Sequence, residues 1–128
     1  MQYSNVWLAT TLMHKRVRNR AGEDLGKIED LAMDAQTGNL QYAILSFGGL
    51  LGMGNKLFPI PWSALGITAS GDHLLVDIDK DALRSAPSFD RDLWPNLADP
   101  VWAQRMHDHY GRRNMAPVGS PIVTASDF

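Results

Sequence analysis

Along most of the chain the hydrophobic positions alternate, or slip phase, at the period of strands, and only near its end do they settle to helical spacing. Val6, Trp7, Leu8 and Leu12 make residues 1–13 a short amphipathic lead-in. In Lys15-Arg16-Val17-Arg18-Asn19-Arg20, basic residues flank one Val with strand-like alternation. Ala21-Gly22-Glu23-Asp24 supplies turn chemistry, and a long strand is predicted from Leu25 to Asp34. Its apolar positions, Leu25, Ile28, Leu31 and Met33, do not keep one parity. Side chains of a flat strand alternate strictly, so each slip of phase predicts a bulge or a bend. After the turn Ala35–Asn39, the run Leu40–Phe47 places apolar residues on both parities, the pattern of a strand covered on both faces.

Beyond Gly48–Asn55, the run Lys56–Pro61 holds Pro59 and Pro61. Neither can donate to a ladder, so this strand is predicted to be an edge or a strand end. Trp62–Leu65 reads as a single turn, and Ile67–Ala69 with His73–Ile78 as a closing hairpin about Ser70-Gly71-Asp72. About six short strands with Gly-rich turns within residues 14–80 predict a mainly β domain, a small β-barrel whose closure would remove exposed edges. Residues 81–111 then form a helical extension. Asp81–Arg84 suggests a short helix, and Asp99-Pro100 starts a longer one with Asp as N-cap and Pro in its first turn. Trp102, Met106, His109 and Tyr110 fall at i, i+4, i+7 and i+8, so one face packs on the barrel or on a second subunit. Gly111 ends the helix, and 112–128, with two prolines and no periodicity, is expected to be a flexible tail or to be ordered by a partner.

Composition narrows the function. The chain has 128 residues, about one domain, and no cysteine. That excludes a disulfide framework, a thiol nucleophile and a zinc ribbon. Twelve basic against 14 acidic residues give a formal charge of -2, far from the basic balance of a nucleic-acid binder. The charges are unevenly spread, because from Ala35 to Gly71 the only one is Lys56. Uncharged Ala35–Asn55 is long enough for a membrane span, yet Gln36, Asn39, Gln41, Ser46 and its glycines make it too polar. Met1–Asn5 lacks the basic start of a signal peptide, so a cytoplasmic, non-spanning protein is expected.

Candidate chemistry is sparse. Gly49, Gly52 and Gly54 give the dinucleotide fingerprint in reverse order, and strand rather than helix follows, so no phosphate site is predicted. Glycine there serves a wide loop that displays Leu50, Leu51 and Met53. Asp77-Ile78-Asp79-Lys80-Asp81 opens like a calcium loop, but Ala82 and Ser88 occupy the places of the required Gly and Glu. His107 and His109 stand two apart on a helix and point to different sides, while His14 and His73 are isolated. No Gly-x-Ser-x-Gly elbow is present, and no carboxylate lies in an apolar stretch that would raise its pKa. Arg16, Arg18 and Arg20 share one strand face, but Glu23, Asp24, Glu29 and Asp30 follow closely and no aromatics interleave. A charge-paired, solvated face is the expectation there.

The run Gly22–Asp34, then Thr37-Gly38, Tyr42–Gly49 and Pro59–Leu65 resembles the PRC-barrel domain, over roughly Leu12 to Pro87. Ala86–Phe89 and the segment ending Tyr110-Gly111 resemble the C-terminal extension of stand-alone bacterial members. One departure is His14, where the family pattern before the first strand usually has Gly. The resemblance implies a small barrel that recurs in the H subunit of the purple-bacterial reaction centre, in a ribosomal-RNA processing factor, and in short proteins that are often dimeric. It implies no shared catalytic residues.

The expectation is therefore a non-enzymatic interaction or adaptor module, homodimeric, with a protein partner and no cofactor, metal or nucleic acid. Its expected contact surface is Phe47, Leu50, Leu51, Met53, Trp102 and Met106. The alternatives are an accessory of a photosynthetic or other membrane electron-transfer complex, and a ribosome- or RNA-associated factor.

Overall fold

Strand β2 (Asp24–Met33) is the organising element, and its pairing with β3 (Leu40–Ser46) and β1 (Arg16–Arg18) is interrupted wherever its apolar parity slips. The register shifts once against β1, between Val17 and Arg18, and twice against β3, at Ile28/Asp30 and Ala32/Met33. Each irregularity bends the strand and increases its twist, so Leu25 and Ile28 both face inward despite opposite parity. The structure, a computed structural model, describes residues 6–47, 56–68 and 70–111.

Seven strands form one sheet in the order β5-β6-β1-β2-β3-β4-β7. Here β4 is Lys56–Pro61, β5 Leu65–Ile67, β6 His73–Val76 and β7 Phe89–Asp90. All neighbours are antiparallel except β1 and β6, which run parallel with Arg16 opposite His73 and Arg18 opposite Leu75. A short lead-in helix α1 (Ala9–Leu12) precedes β1, and α2 (Lys80–Arg84) and α3 (Pro100–Tyr110) follow the sheet.

Three expectations are corrected. There are seven strands rather than about six, because β7 is only two residues long and too short to show any period in the sequence. The sheet is also not closed into a barrel by hydrogen bonds. A 3-10 turn, Trp62–Ala64, carries the chain from β4 to β5, so at most about 14 Å of extended backbone separates those strand ends. The sheet must therefore curl until β4 and β5 approach each other across a seam. Pro59 and Pro61 share one parity of β4, so both missing donors fall on the same side of the strand, and β7 pairs only with Lys56 and Leu57. The hairpin β5–β6 also starts earlier than expected, at Leu65 rather than Ile67, and Ala69 lies outside the described residues.

The core fills the curl. Val17, Leu25, Ile28, Ala43, Ile44, Leu45, Phe58, Ile60 and Leu74 are completely buried. Doubly apolar β3 buries four consecutive residues, Tyr42–Leu45, as its pattern requires. Asn19 is a buried polar residue that closes the β1–β2 turn. Its Nδ2 donates to Glu23 Oε1 (2.7 Å) and to the Ile78 carbonyl (3.1 Å), and its Oδ1 accepts from Glu23 N–H (2.9 Å).

His14 takes the place before β1 with a φ of 67°, the one positive-φ residue other than glycine among those described. Its N–H donates to the Ile28 carbonyl (2.7 Å), which holds the turn in that shape. A left-handed conformation costs an L-residue about 1–2 kcal/mol, against about 0.5–1 kcal/mol of extra chain entropy for glycine. His14→Gly is thus expected to raise stability by up to about 1 kcal/mol in urea melts, and a loss of stability would contradict the strain argument.

Candidate interaction surface

The chain's polar groups are largely engaged with one another. On the basic strand, Arg16 pairs with Asp24 and Arg20 approaches Asp77 at 3.9 Å, while Arg18 lies opposite Asp24 in register. Burial raises the Asp24 pKa, but the Arg16 hydrogen bond, the Gly26 N–H and the charges of Arg16 and Arg18 outweigh it and leave the carboxyl below its usual value. Burial alone pushes the Tyr42 hydroxyl upward. Lys15 Nζ donates to the Gly71 carbonyl (2.6 Å) and sits 5.3 Å from the Trp7 ring, which ties the lead-in to the β5–β6 turn. Asp79 caps α2 by accepting from Ala82 N–H (2.7 Å), so the acidic run after β6 is a helix start.

An open groove of about 380 Å³ lies between Ser85–Ser88 and the Arg105, Asp108 and His109 side of α3. Asp108 there accepts from Gln104 Nε2 (2.8 Å), and His109 Nε2 lies 2.9 Å from the Ala82 carbonyl, so both serve to brace helices. Among the described residues no group of three or more His, Asp or Glu is placed to hold a metal ion. No described helix is long and apolar enough to cross a membrane.

The expected contact residues divide into two sets. Phe47, Trp102 and Met106 are 3%, 6% and 2% exposed, so their side chains are taken up by the chain's own core. Phe47 meets Phe58 edge-on at 6.0 Å. Trp102, Met106 and Tyr110 form the buried face of α3, which packs against β4. Leu50, Leu51 and Met53 lie outside the described residues.

A different set of apolar side chains faces solvent. On the extension these are Leu93 (72% exposed), Trp94 (48%) and Val101 (50%). Trp94 begins an aromatic line, lying 4.8 Å from Phe89, which in turn meets the buried Trp102 edge-on at 6.1 Å. The segment is anchored at both ends. Arg91 pairs with Glu29 of β2, Lys56 of β4 lies 3.0 Å from Asp90, and Asp99 caps α3 through Val101 N–H (3.0 Å). Sequence periodicity missed Leu93 and Trp94. The available signal was two large apolar residues in a Pro/Asn/Asp-rich stretch with no period to bury them.

The model of the PRC-barrel domain matches residues 5–83, well over half of the chain. The chain belongs to the PRC-barrel domain family. No curated protein matches it. In this PRC barrel the matched region covers β1 to β6 and most of α2, while β7, the Leu93–Trp94 segment and α3 fall outside it. Leu93, Trp94 and Val101 thus lie in the part of the chain that the domain model does not reach, while the exposed Val6, Leu8 and Met33 lie within the matched region.

Proposed function

We propose that this PRC-barrel protein is a non-enzymatic interaction module that holds a protein partner and works as a homodimer in the cytoplasm. The observation that carries this reading is the solvent-facing Leu93, Trp94 and Val101 on a segment whose backbone is pinned at both ends. Apolar side chains displayed on a rigid support suit docking, since little ordering is needed when a partner arrives. Many of the ionisable groups, by contrast, are engaged in ion pairs, caps and helix braces, among them Arg16, Asp24, Asp79, Asp99 and His109. The uncharged Gly48–Asn55 connection, with Leu50, Leu51 and Met53, belongs to the same reading as a second apolar contact element. RNA association through Arg16, Arg18 and Arg20 has less support, because carboxylates already accompany two of them.

Trp94→Asp, Leu51→Asp and Met53→Asp test the reading. Each is expected to lower the mass seen by light scattering and to weaken partner capture, with the far-UV spectrum unchanged. Unchanged mass together with unchanged capture would sink it.

A further inference from the structure

The lead-in displays two apolar side chains beside a group of cations. Val6 and Leu8 are 80% and 70% exposed, while Trp7 between them packs against the core. Trp7 also rests on Gly71, where a Cβ would stand 3.5 Å from its ring, and Lys15 Nζ lies 5.3 Å over the same ring. The lead-in is thereby seated on the turn that enters β6. Two residues on, His73 stands opposite Arg16, whose neighbour on the other side is Lys27. Residues opposite each other in a ladder project from one face. The next pair, Val17 and Leu74, is completely buried, so His73, Arg16 and Lys27 line the outer face, and exposed Arg18 follows on β1. Asp24 engages Arg16 and Arg91 neutralises Glu29, but among the described residues Arg18 and Lys27 enter no ion pair. Even with Asp72 exposed at the turn, Lys15, Arg16, Arg18 and Lys27 leave this surface net positive.

We infer that the lead-in and this cationic face together rest on the surface of a membrane containing anionic lipids, without crossing it. A soluble polyanion would meet the cations and leave Val6 and Leu8 in water. An acidic bilayer surface meets both, with headgroup phosphates against Arg16, Arg18 and Lys27 and the two apolar side chains among the lipid tails. Adsorption of this kind grows with the apolar area buried and with the charge attracted. Neither contribution suffices alone. Two aliphatic side chains partition weakly, and a few exposed cations are largely screened at physiological salt. The Lys15–Trp7–Gly71 contacts hold the apolar and cationic parts in a fixed relation, so both act at once. This inference goes beyond the partner-binding reading above and does not depend on it.

The test is co-sedimentation of the full chain with phosphatidylcholine vesicles that contain or lack phosphatidylglycerol, with circular dichroism to confirm folding. Binding is expected only to the anionic vesicles, and is expected to fall as salt is raised. The double variant Val6→Asp/Leu8→Asp, at two exposed positions, is expected to lower the partition coefficient about tenfold or more. Arg18→Ala/Lys27→Ala is expected to lower it by a similar factor, about tenfold or more. No binding to the anionic vesicles, or equal binding to both kinds, would overturn the inference. Binding that falls with the loss of Arg18 and Lys27 but is untouched by Val6→Asp/Leu8→Asp would also overturn it. That result would mark the face as a site for a soluble polyanion such as RNA.

Discussion

Gly26→Ala is expected to abolish the native sheet, with a loss above about 4 kcal/mol, most of what a domain of this size has to lose. Gly26 has a φ of 120°, which side-chain-bearing residues rarely adopt. It also stands beside the Lys27–Ser46 pair, hard against the backbone of β3. A Cβ there would collide with the Ser46 carbonyl oxygen and stand 3.0 Å from its carbonyl carbon and 3.1 Å from Phe47 Cα. All three obstacles are backbone, so no side-chain rotation relieves them, and β2 would have to leave either β1 or β3. Gly38→Ala is the control. Its φ is also positive, at 79°, but a Cβ would meet nothing within 4 Å. That change is expected to cost only about 1 kcal/mol of left-handed strain. Urea melts of the pair check the argument, and equal losses would refute it.

Trp102→Ala is expected to cost about 3–5 kcal/mol and to release α3 from the sheet. Trp102 is 6% exposed, meets Phe89 edge-on, and lies under the Arg105 guanidinium at 4.5 Å. Removing the indole leaves a cavity between α3 and β7 that neither element can fill. An 11-residue helix is too short to persist alone in water, so lost docking appears as lost helix. The far-UV signal at 222 nm should fall before the sheet melts. Gln104→Ala, on the exposed face of the same helix, should change stability by less than about 0.5 kcal/mol. A Trp102→Ala loss below about 1 kcal/mol would show that α3 is held by other contacts.

Much of the fold was legible because apolar parity reports local geometry. The phase slips among Leu25, Ile28 and Leu31 foretold the interruptions of β2, and the two-sided pattern of Leu40–Phe47 foretold its burial. The spacing of Trp102, Met106 and Tyr110 marked the buried face of α3. Pro59 and Pro61 suggested an edge or a strand end, and β4 is an edge only beyond Leu57, since β7 pairs with Lys56 and Leu57, while the expected closed barrel is an open sheet. What stayed hidden was non-local. Two residues, Phe89 and Asp90, carry no period, and their strand exists only because β4 offers an edge at Lys56 and Leu57. The contact surface was harder still, since burial depends on what a side chain meets in space. Phe47 and Trp102 look as suited to docking as Leu93 and Trp94 until the sheet is curled, and then only the second pair faces water. His14 illustrates the converse, a position where glycine is usual, whose conformation is kept by a backbone hydrogen bond whatever the side chain.

The parallel pairing of β1 with β6 has a consequence for how the chain folds during synthesis. β1 and β2 are separated by one tight turn, so they can zip together as soon as both have been made. The other side of β1 must wait for β6, whose His73 pairs with Arg16 from far along the chain. Until then β1 presents an unpaired edge to every neighbouring nascent chain. Arg16 and Arg18 lie on that waiting edge and are both exposed in the finished protein. Charged side chains of this kind discourage edge-to-edge pairing, so the strand that must wait longest for its neighbour is also the one best suited to stand unpaired.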